Sequence, residues 1–271
     1  MKNNNLSSIP LIKKEIKIFD THFHIGKYTT SFVNTNYEDN AIKVSIKLGV
    51  KKIFAIHTLF LIDLDSGLNE SIKFLKSNND FAIGALVYNP NYIEKSLNII
   101  ENFFGKFGFA GVKIHPEDHN CPINDKRYEK LWEIAQDKNV PILSHTWNPN
   151  VPNKRQKNAD ALLFEEVINK YPKLKVILGH AGAKDGYYKE VVKMLKRQKD
   201  KKMYVDLAGD IFYNGMIELF VKEAGSEKIL FGTDIPWTDP SLCLINVLNS
   251  DISESDKKNI FYNNAAKLFN L

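Results

Sequence analysis

The sequence contains little that would indicate a secreted or membrane protein. It has 2 cysteines in 271 residues, Cys121 and Cys243, which lie far apart and belong to no CxxC motif. They therefore predict neither a disulfide framework nor a thiolate metal site, and we expect free, buried or incidental thiols. No apolar run is long enough to span a membrane, and the stretch MKNNNLSSIP lacks the continuous apolar region of a secretory signal. We expect a cytoplasmic protein without a membrane partner.

A strong excess of one charge is also missing. The formal net charge is +5, from 37 Lys and Arg against 32 Asp and Glu. The one strongly basic run, KMLKRQKDKK at 193–202, follows a helical pattern and contains no aromatic residue. This pattern favours the solvated end of a helix over a nucleic-acid surface. We expect a small-molecule substrate and no nucleic-acid partner, and a homo-oligomer is compatible with the sequence.

The chain alternates between short β-branched or apolar runs and amphipathic segments, which together predict eight β/α pairs. The predicted strands are 16–19, 52–56, 82–87, 111–114, 140–144, 174–178, 203–207 and 228–231. The predicted helices are 41–48, 68–75, 93–104, 126–137, 161–169, 187–195, 216–224 and 257–269. This alternation predicts an α/β protein in which residues 1–271 form a single (β/α)8 TIM barrel, although an open doubly wound sheet has the same pattern.

Polar residues follow the predicted strands at the points where the strands end. The stretch IFDTHFHIGKY places two histidines after the first strand. The others are Lys113 and His115 (strand 4), His145 (strand 5), His180 (strand 6), Asp206 (strand 7) and Asp234 (strand 8). Because the carboxyl ends of barrel strands meet at one face, these side chains should converge there. On a strand, residues two apart point to the same face, so His22 and His24 can share one target.

Four of these residues form a candidate metal site. His22, His24, His145 and Asp234 would supply three imidazole nitrogens and one carboxylate oxygen and leave room for water. A donor set without thiolate suits a divalent ion, most simply zinc, with manganese as the alternative. Each residue alone has an ordinary explanation, such as a hydrogen-bonded histidine or a turn-capping aspartate. It is their joint placement that predicts the site.

Six segments of the sequence resemble the amidohydrolase superfamily, and within it the amidohydrolase-2 type. They are DTHFH, GVKIHP, LSHTW, VILGHAGA, ILFGTDIPW and NNAAKLFNL. This branch includes hydrolases and decarboxylases of aromatic and related acids. The resemblance implies a metal-dependent TIM barrel in which His22, His24 and His145 are ligands. It implies that Asp234 is both a ligand and a proton shuttle.

The resemblance leaves the number of metal ions open. His180 would either orient and polarise the metal-bound water or the substrate, or bind a second ion. Binuclear relatives carry a carboxylated lysine on strand 4 that bridges both ions, and Lys113 occupies that strand. The IHP pattern after it is also associated with members that lack the modification. We therefore favour an unmodified Lys113 that anchors a substrate carboxylate.

The predicted loops after strands 1, 4, 5 and 8 carry Tyr28, His115, Trp147 and Trp237, which would line a substrate pocket. Each tryptophan would equally serve to anchor its loop. Asp206 would either hold a group behind the ligands or pair with a lysine.

The primary expectation is a hydrolase that attacks a carboxylate-bearing amide, ester or lactone with metal-activated water, with Asp234 as the base and His180 stabilising charge. The alternative is non-oxidative decarboxylation of an aromatic or unsaturated acid. A non-catalytic metal-binding protein is a third hypothesis, against which the presence of both Asp234 and His180 argues.

Overall fold

Eight parallel strands form one sheet, in which each strand pairs with the next along the chain. The structure, a computed structural model, describes residues 16–26, 37–182 and 184–271. The strands are β1 (Ile18–Ile25), β2 (Val50–His57), β3 (Ala82–Val87), β4 (Phe109–Ile114), β5 (Pro141–Ser144), β6 (Lys175–Leu178), β7 (Met203–Asp206) and β8 (Ile229–Leu230). This order, with helices between the strands, confirms the (β/α)8 barrel and rules out the open doubly wound sheet.

Helices connect the strands and cover the outer face of the sheet. In the described ranges they are α1 (Tyr37–Lys47), α2 (Thr58–Ile62), α3 (Leu64–Ser77), α4 (Ile93–Phe103), α5 (Glu129–Asp137), α6 (Phe164–Lys170), α7 (Tyr188–Arg197), α8 (Met216–Ala224), α9 (Pro240–Leu248), α10 (Glu254–Lys258) and α11 (Asn264–Phe269). None of these helices is long and apolar enough to cross a membrane. Cys121 and Cys243 are buried free thiols, as their spacing predicts.

The barrel closes through backbone contacts between β1 and the chain that follows β8. Thr21 N donates to Phe231 O at 2.9 Å, and Asp234 N donates to His22 O at 2.8 Å. A parallel bridge between Phe23 and Ile235 continues this contact towards the carboxyl ends of the strands. We call this contact between 21–24 and 231–235 the seam. It places the chain around Asp234 directly beside the two histidines of β1.

Strand β1 is longer than the sequence indicates, because it runs to Ile25. The prediction that His22 and His24 follow the strand is therefore wrong, and both lie within it. Every residue of β1 is buried. Hydropathy missed its second half because the polar side chains there face other protein groups instead of water.

A register shift in β1 allows Phe19 to point into the barrel core and His22 and His24 to point towards the site. Phe19 packs in the interior of the barrel, whereas Ile18, Phe23 and Ile25 pack on the outer side with the helices. Strict alternation would therefore place Phe19 and His22 on opposite faces. The pairing with β2 shifts between Asp20 and Phe23, which is how a β-bulge changes the phase of a strand. Phe19 and the His22/His24 pair thus both point inwards.

The opposite end of the barrel is closed by α11. Phe269 at the end of this helix is 7% exposed. Its ring centroid lies 4.8 Å from that of Phe54 on β2 and 5.6 Å from that of Phe19 on β1. The C-terminal helix therefore acts as an apolar plug beneath the inner core, and the site lies at the other end.

This packing predicts the effect of truncating the plug. Phe269→Ala should lower the free energy of unfolding by about 3–5 kcal/mol, because a large buried ring is removed from an ordered core. Leu271→Ala is the matched control, since Leu271 is 59% exposed, and it should change stability by less than about 0.5 kcal/mol. Urea unfolding followed by circular dichroism measures both. Equal stabilities for the two variants would show that α11 does not seal the barrel.

Candidate metal centre

A cavity of about 800 Å³ opens at the carboxyl ends of the strands. The predicted site residues that line it are His22, His24, Lys113, His115, His145, Trp147, His180, Asp234 and Trp237. Tyr28 lies outside the described residues. The sequence thus predicts a set of side chains that the fold brings to one place.

Three of the four predicted ligands form a compact group. Asp234 Oδ1 lies 3.3 Å from His24 Nε2 and 3.7 Å from His22 Nε2. Two atoms bound to one ion at about 2.1 Å in tetrahedral geometry are separated by about 3.4 Å. These distances therefore fit a divalent metal without a backbone movement. Burial lowers the pKa of both histidines well below the usual value, so each imidazole is neutral and can offer a lone pair.

Asp206 fixes the orientation of His22, a candidate ligand, from behind. His22 Nδ1 donates to Asp206 Oδ2 at 2.8 Å, which leaves the Nε2 lone pair directed at the site. The other carboxylate oxygen accepts from the backbone N–H of His180 at 2.7 Å and of Ala208 at 3.2 Å. Asp206 therefore supports the groups of the site, which is the first of the two roles considered from the sequence.

His180 stands beside the ligand group on a tight turn after β6. Its backbone is left-handed, with φ of 62°, and its Nδ1 donates to Ala208 O at 3.1 Å. The ring centroid lies 4.7 Å from that of His22. A glycine precedes it because a Cβ at Gly179 would lie 2.7 Å from Ser144 O and 3.1 Å from His22 Cε1. The turn can therefore approach His22 closely only with glycine at that position.

His145 lies apart from the compact group. Its ring is parallel to that of His115, with 4.3 Å between the centroids and 9° between the planes, and its Nε2 lies 3.3 Å from Gln156 Oε1. His115, Glu117 and His145 could by their distances hold an ion. However, imidazole lone pairs lie in the ring plane, and two parallel planes do not meet at one ion. The role of His145 as a metal ligand stays a prediction.

Lys113 brings a buried cation into the centre. Its side chain is fully buried, and Nζ lies 3.0 Å from His22 Nε2. Burial lowers its pKa to about 8, although Asp206 and Asp234 oppose the shift. The lone pair of His22 Nε2 can bind either the Lys113 ammonium or a metal ion, but not both. A metal ion at this nitrogen therefore requires the Lys113 side chain to move away from it. The ammonium would then be available to another anion in the cavity.

Asp234 combines a strained backbone with a raised pKa. It adopts φ of 59°, a left-handed conformation that costs a residue other than glycine about 1–3 kcal/mol. Burial raises the pKa of its carboxyl group to about 6, while His180 and Lys113 oppose the shift. The carboxylate can therefore bind a cation near neutral pH and exchange a proton close to that pH.

The rest of the cavity wall consists of aromatic rings and of several residues that the sequence analysis does not predict. The Trp237 ring meets the His24 ring edge to face, with 4.8 Å between the centroids, and Trp147 stacks parallel to His145 at 5.8 Å. Both tryptophans line the cavity, as predicted. The missed residues are Thr58, Leu59, Leu61, Ile62, Glu117, Asp118, Gln156, Asp210 and Thr238. They lie on loops, on α2 and, in the case of Gln156, on a short 3-10 helix (Lys154–Ala159), and no motif marks them.

A model of the Amidohydrolase family (Amidohydro_2) matches residues 69–271, well over half of the chain. The chain belongs to this family. The match begins after β1, so the His22 and His24 pair of this family member lies outside the matched segment.

Decarboxylases are among the proteins similar to this family member. Gamma-resorcylate decarboxylase from Polaromonas sp. (strain JS666 / ATCC BAA-500) is 25% identical over an alignment of 213 residues that covers 64% of this chain and 65% of that protein. The chain thus matches slightly less than two thirds of the length of this relative.

Solved structures share the fold of this family member. One is 2,6-dihydroxybenzoate decarboxylase complexed with 2,6-dihydroxybenzoate, with a TM-score of 0.75 and 16% identity, covering 94% of this chain and 99% of that chain. Another is dihydroxybenzoic acid decarboxylase from Polaromonas sp. JS666 with bound manganese and the inhibitor 2-nitroresorcinol. Its TM-score is 0.71 at 19% identity, covering 94% of this chain and 97% of that chain. At these identities the likeness establishes the barrel fold.

The buried histidines predict that this protein, when free of metal, loses stability in acid. Burial lowers the pKa of all 7 histidines. In the unfolded chain the histidines take up protons below about pH 6.5, whereas in the folded protein they stay neutral. Because the unfolded state then binds more protons, the folded state becomes less stable as the pH falls. Four carboxyl groups act in the opposite direction, because burial raises the pKa of Asp20, Asp118, Asp206 and Asp234. The histidines outnumber them.

We therefore expect the Tm of metal-free protein to be lower at pH 5.0 than at pH 7.5 by about 5 °C or more. Differential scanning calorimetry at constant ionic strength measures this, and proton uptake on unfolding at pH 6 provides an independent check. An unchanged or higher Tm at pH 5.0 would mean that the histidines are not held neutral.

Proposed function

We propose that this protein is a metal-dependent decarboxylase of an aromatic carboxylic acid. The observation that carries the choice of reaction is the 25% identity over 213 residues with gamma-resorcylate decarboxylase. It favours decarboxylation, the alternative in the sequence analysis, over the hydrolysis that was the primary expectation. The cavity supports a flat acid, because tryptophan and histidine rings line it and a lysine ammonium lies at its base.

The metal in this proposal is held by His22, His24 and Asp234. A divalent ion held there would supply positive charge that stabilises negative charge on the bound acid. His145 is the predicted fourth ligand, and its ring would have to leave Gln156 to join the others. Imidazole and carboxylate donors suit both zinc, the ion expected from the sequence, and manganese. Manganese is the first ion to test, because a relative of the same fold contains it.

Lys113 binds the substrate carboxylate in this proposal. It is the one lysine or arginine among the described residues that line the cavity, and an ammonium in a buried site forms a strong charge-assisted hydrogen bond to a carboxylate. The unmodified side chain suits this role better than a carbamate, which would repel the substrate anion.

Asp234 moves the proton that the reaction requires. In the protonated form it donates H⁺ to the ring carbon that bears the carboxylate. The bond between this carbon and the carboxylate carbon then breaks, its electron pair returns to the ring, and carbon dioxide leaves. Water from the cavity mouth restores the proton. In the metal-free protein, burial raises the pKa of the Asp234 carboxyl group to about 6, which favours its protonated form more than water does. His180 lines the same cavity, with its ring centroid 4.7 Å from that of His22, and in this proposal it stabilises charge on a substrate oxygen.

A substrate panel tests the choice of reaction. Protein reconstituted with Mn²⁺ or Zn²⁺ should release carbon dioxide from 2,6-dihydroxybenzoate or 2-hydroxybenzoate at least about tenfold faster than it hydrolyses aryl esters or lactones. Asp234→Asn, assayed at saturating metal, should lose at least about a hundredfold in turnover because the proton donor is removed. Ester or lactone hydrolysis without release of carbon dioxide would restore the hydrolase interpretation, and no turnover at all would favour the metal-binding protein.

The role of Lys113 is tested by comparing two ligands that differ by one carboxylate. Lys113→Met should weaken binding of 2,6-dihydroxybenzoate by about tenfold or more, because a charge-assisted hydrogen bond is lost. Binding of resorcinol, which lacks the carboxylate, should change by less than about threefold. Titration calorimetry with the metal-loaded variant measures both ligands. An equal loss for the two would mean that Lys113 acts through the geometry of the site and not on the carboxylate.

A further inference from the structure

A fully buried carboxylate lies behind the candidate ligands, at the seam. Asp20 is 0% exposed and does not line the cavity. Its Oδ1 accepts from the backbone N–H of His22 and of Thr233, both at 3.1 Å. Its Oδ2 accepts from the Thr233 hydroxyl at 2.6 Å. One side chain of β1 therefore contacts both halves of the candidate metal centre, 213 positions apart in sequence.

The Thr233 hydroxyl extends this connection across Asp234. It donates to Asp20 and accepts from Ile235 N at 3.3 Å. Asp234 lies between these two residues in its left-handed conformation, and its own N–H donates to His22 O at 2.8 Å. Hydrogen bonds on both sides therefore hold the turn in a conformation that a residue other than glycine rarely adopts.

The strands alone do not hold this turn in place. Strand β8 has two residues, Ile229 and Leu230, and ends before the turn begins. The carboxylate of Asp20 supplies three of the bonds that fix Thr233 and the backbone of His22. The bond from Asp20 to Thr233 acts together with the backbone bonds from Asp234 N to His22 O and from His24 N to Ile235 O. Its loss would let the Asp234 carboxylate shift relative to His24 Nε2, from which it is now separated by 3.3 Å.

We propose that Asp20 is a positioning residue that sets the affinity of the site for a divalent cation by holding Asp234 opposite His22 and His24 through Thr233. It acts without contacting the ion, because its oxygens are bonded to the backbone and to the Thr233 hydroxyl. This inference rests on the proposed role of His22, His24 and Asp234 as ligands. A residue that only stabilises the seam would lower the Tm of metal-free protein and leave the affinity for metal unchanged.

Thr233 allows a test that leaves every proposed ligand intact. Thr233→Val removes the hydroxyl at nearly constant shape, and Thr233→Ser retains it. Mn²⁺ affinity of the metal-free proteins, measured by competition with a chelator, should fall about 10–100-fold in Thr233→Val. In Thr233→Ser it should stay within about threefold of wild type. Rescue by serine identifies the hydroxyl as the cause, because serine retains the hydroxyl and lacks only the methyl group.

A double-variant cycle tests whether Asp20 acts through Thr233. Asp20→Asn should also weaken Mn²⁺ binding, and adding Thr233→Val to it should cause little further loss, since both changes break the same bond. Additive losses would overturn the proposed path from Asp20 through Thr233. The visible spectrum of Co²⁺-loaded Thr233→Val should differ from that of wild type, while Thr233→Ser should match wild type.

The outcomes separate this inference from the proposed function. Wild-type affinity in Thr233→Val, with His24→Ala showing weakened binding, would overturn the inference and leave the metal site intact. Equal Mn²⁺ binding by wild type and His24→Ala would refute the ligand assignment itself, and with it the inference. A lowered Tm of metal-free Thr233→Val without a change in Mn²⁺ affinity would assign Asp20 to stability alone.

Discussion

The seam between β1 and the chain after β8 is the contact on which the site depends. It joins segments 210 positions apart and places the His22 and His24 pair beside Asp234. A parallel barrel can bring its first and last strands together only when every intervening strand takes its place in the sheet. Formation of the site is therefore coupled to completion of the fold. The plug of α11 at the other end seals the same inner core and leaves the carboxyl ends of the strands open for chemistry.

Burial of ionisable groups is the second constraint on the molecule. Asp20 and Asp206 are fully buried behind the cavity, and Lys113 is fully buried at its wall. Burying such groups is unfavourable unless hydrogen bonds or opposite charges compensate. Here Asp20 and Asp206 each accept three bonds from fixed donors. The same bonds orient the candidate ligands, so the groups that satisfy the buried carboxylates also define the geometry of the centre.

Much of this architecture can be read from the sequence, and the exceptions have physical reasons. Apolar runs and strand-end motifs predict the eight strands and the residues that meet at their carboxyl ends. The true end of β1 was missed because Asp20, Thr21, His22 and His24 are polar yet buried, which hydropathy treats as a loop. The β-bulge depends on pairing with β2, and the position of His145 depends on ring stacking with His115 and a bond to Gln156. Such features follow from three-dimensional contacts that no local pattern contains.

We propose that His22, His24 and Asp234 together hold one divalent ion, and diffraction locates such an ion directly. Crystals grown with Mn²⁺ near neutral pH and measured at the manganese absorption edge should show a single anomalous peak. We expect it within about 2.2 Å of His22 Nε2, His24 Nε2 and an Asp234 oxygen, with Lys113 turned away from His22. Two peaks bridged by a carboxylated Lys113, or one peak beside His115 and Glu117, would contradict the proposed centre.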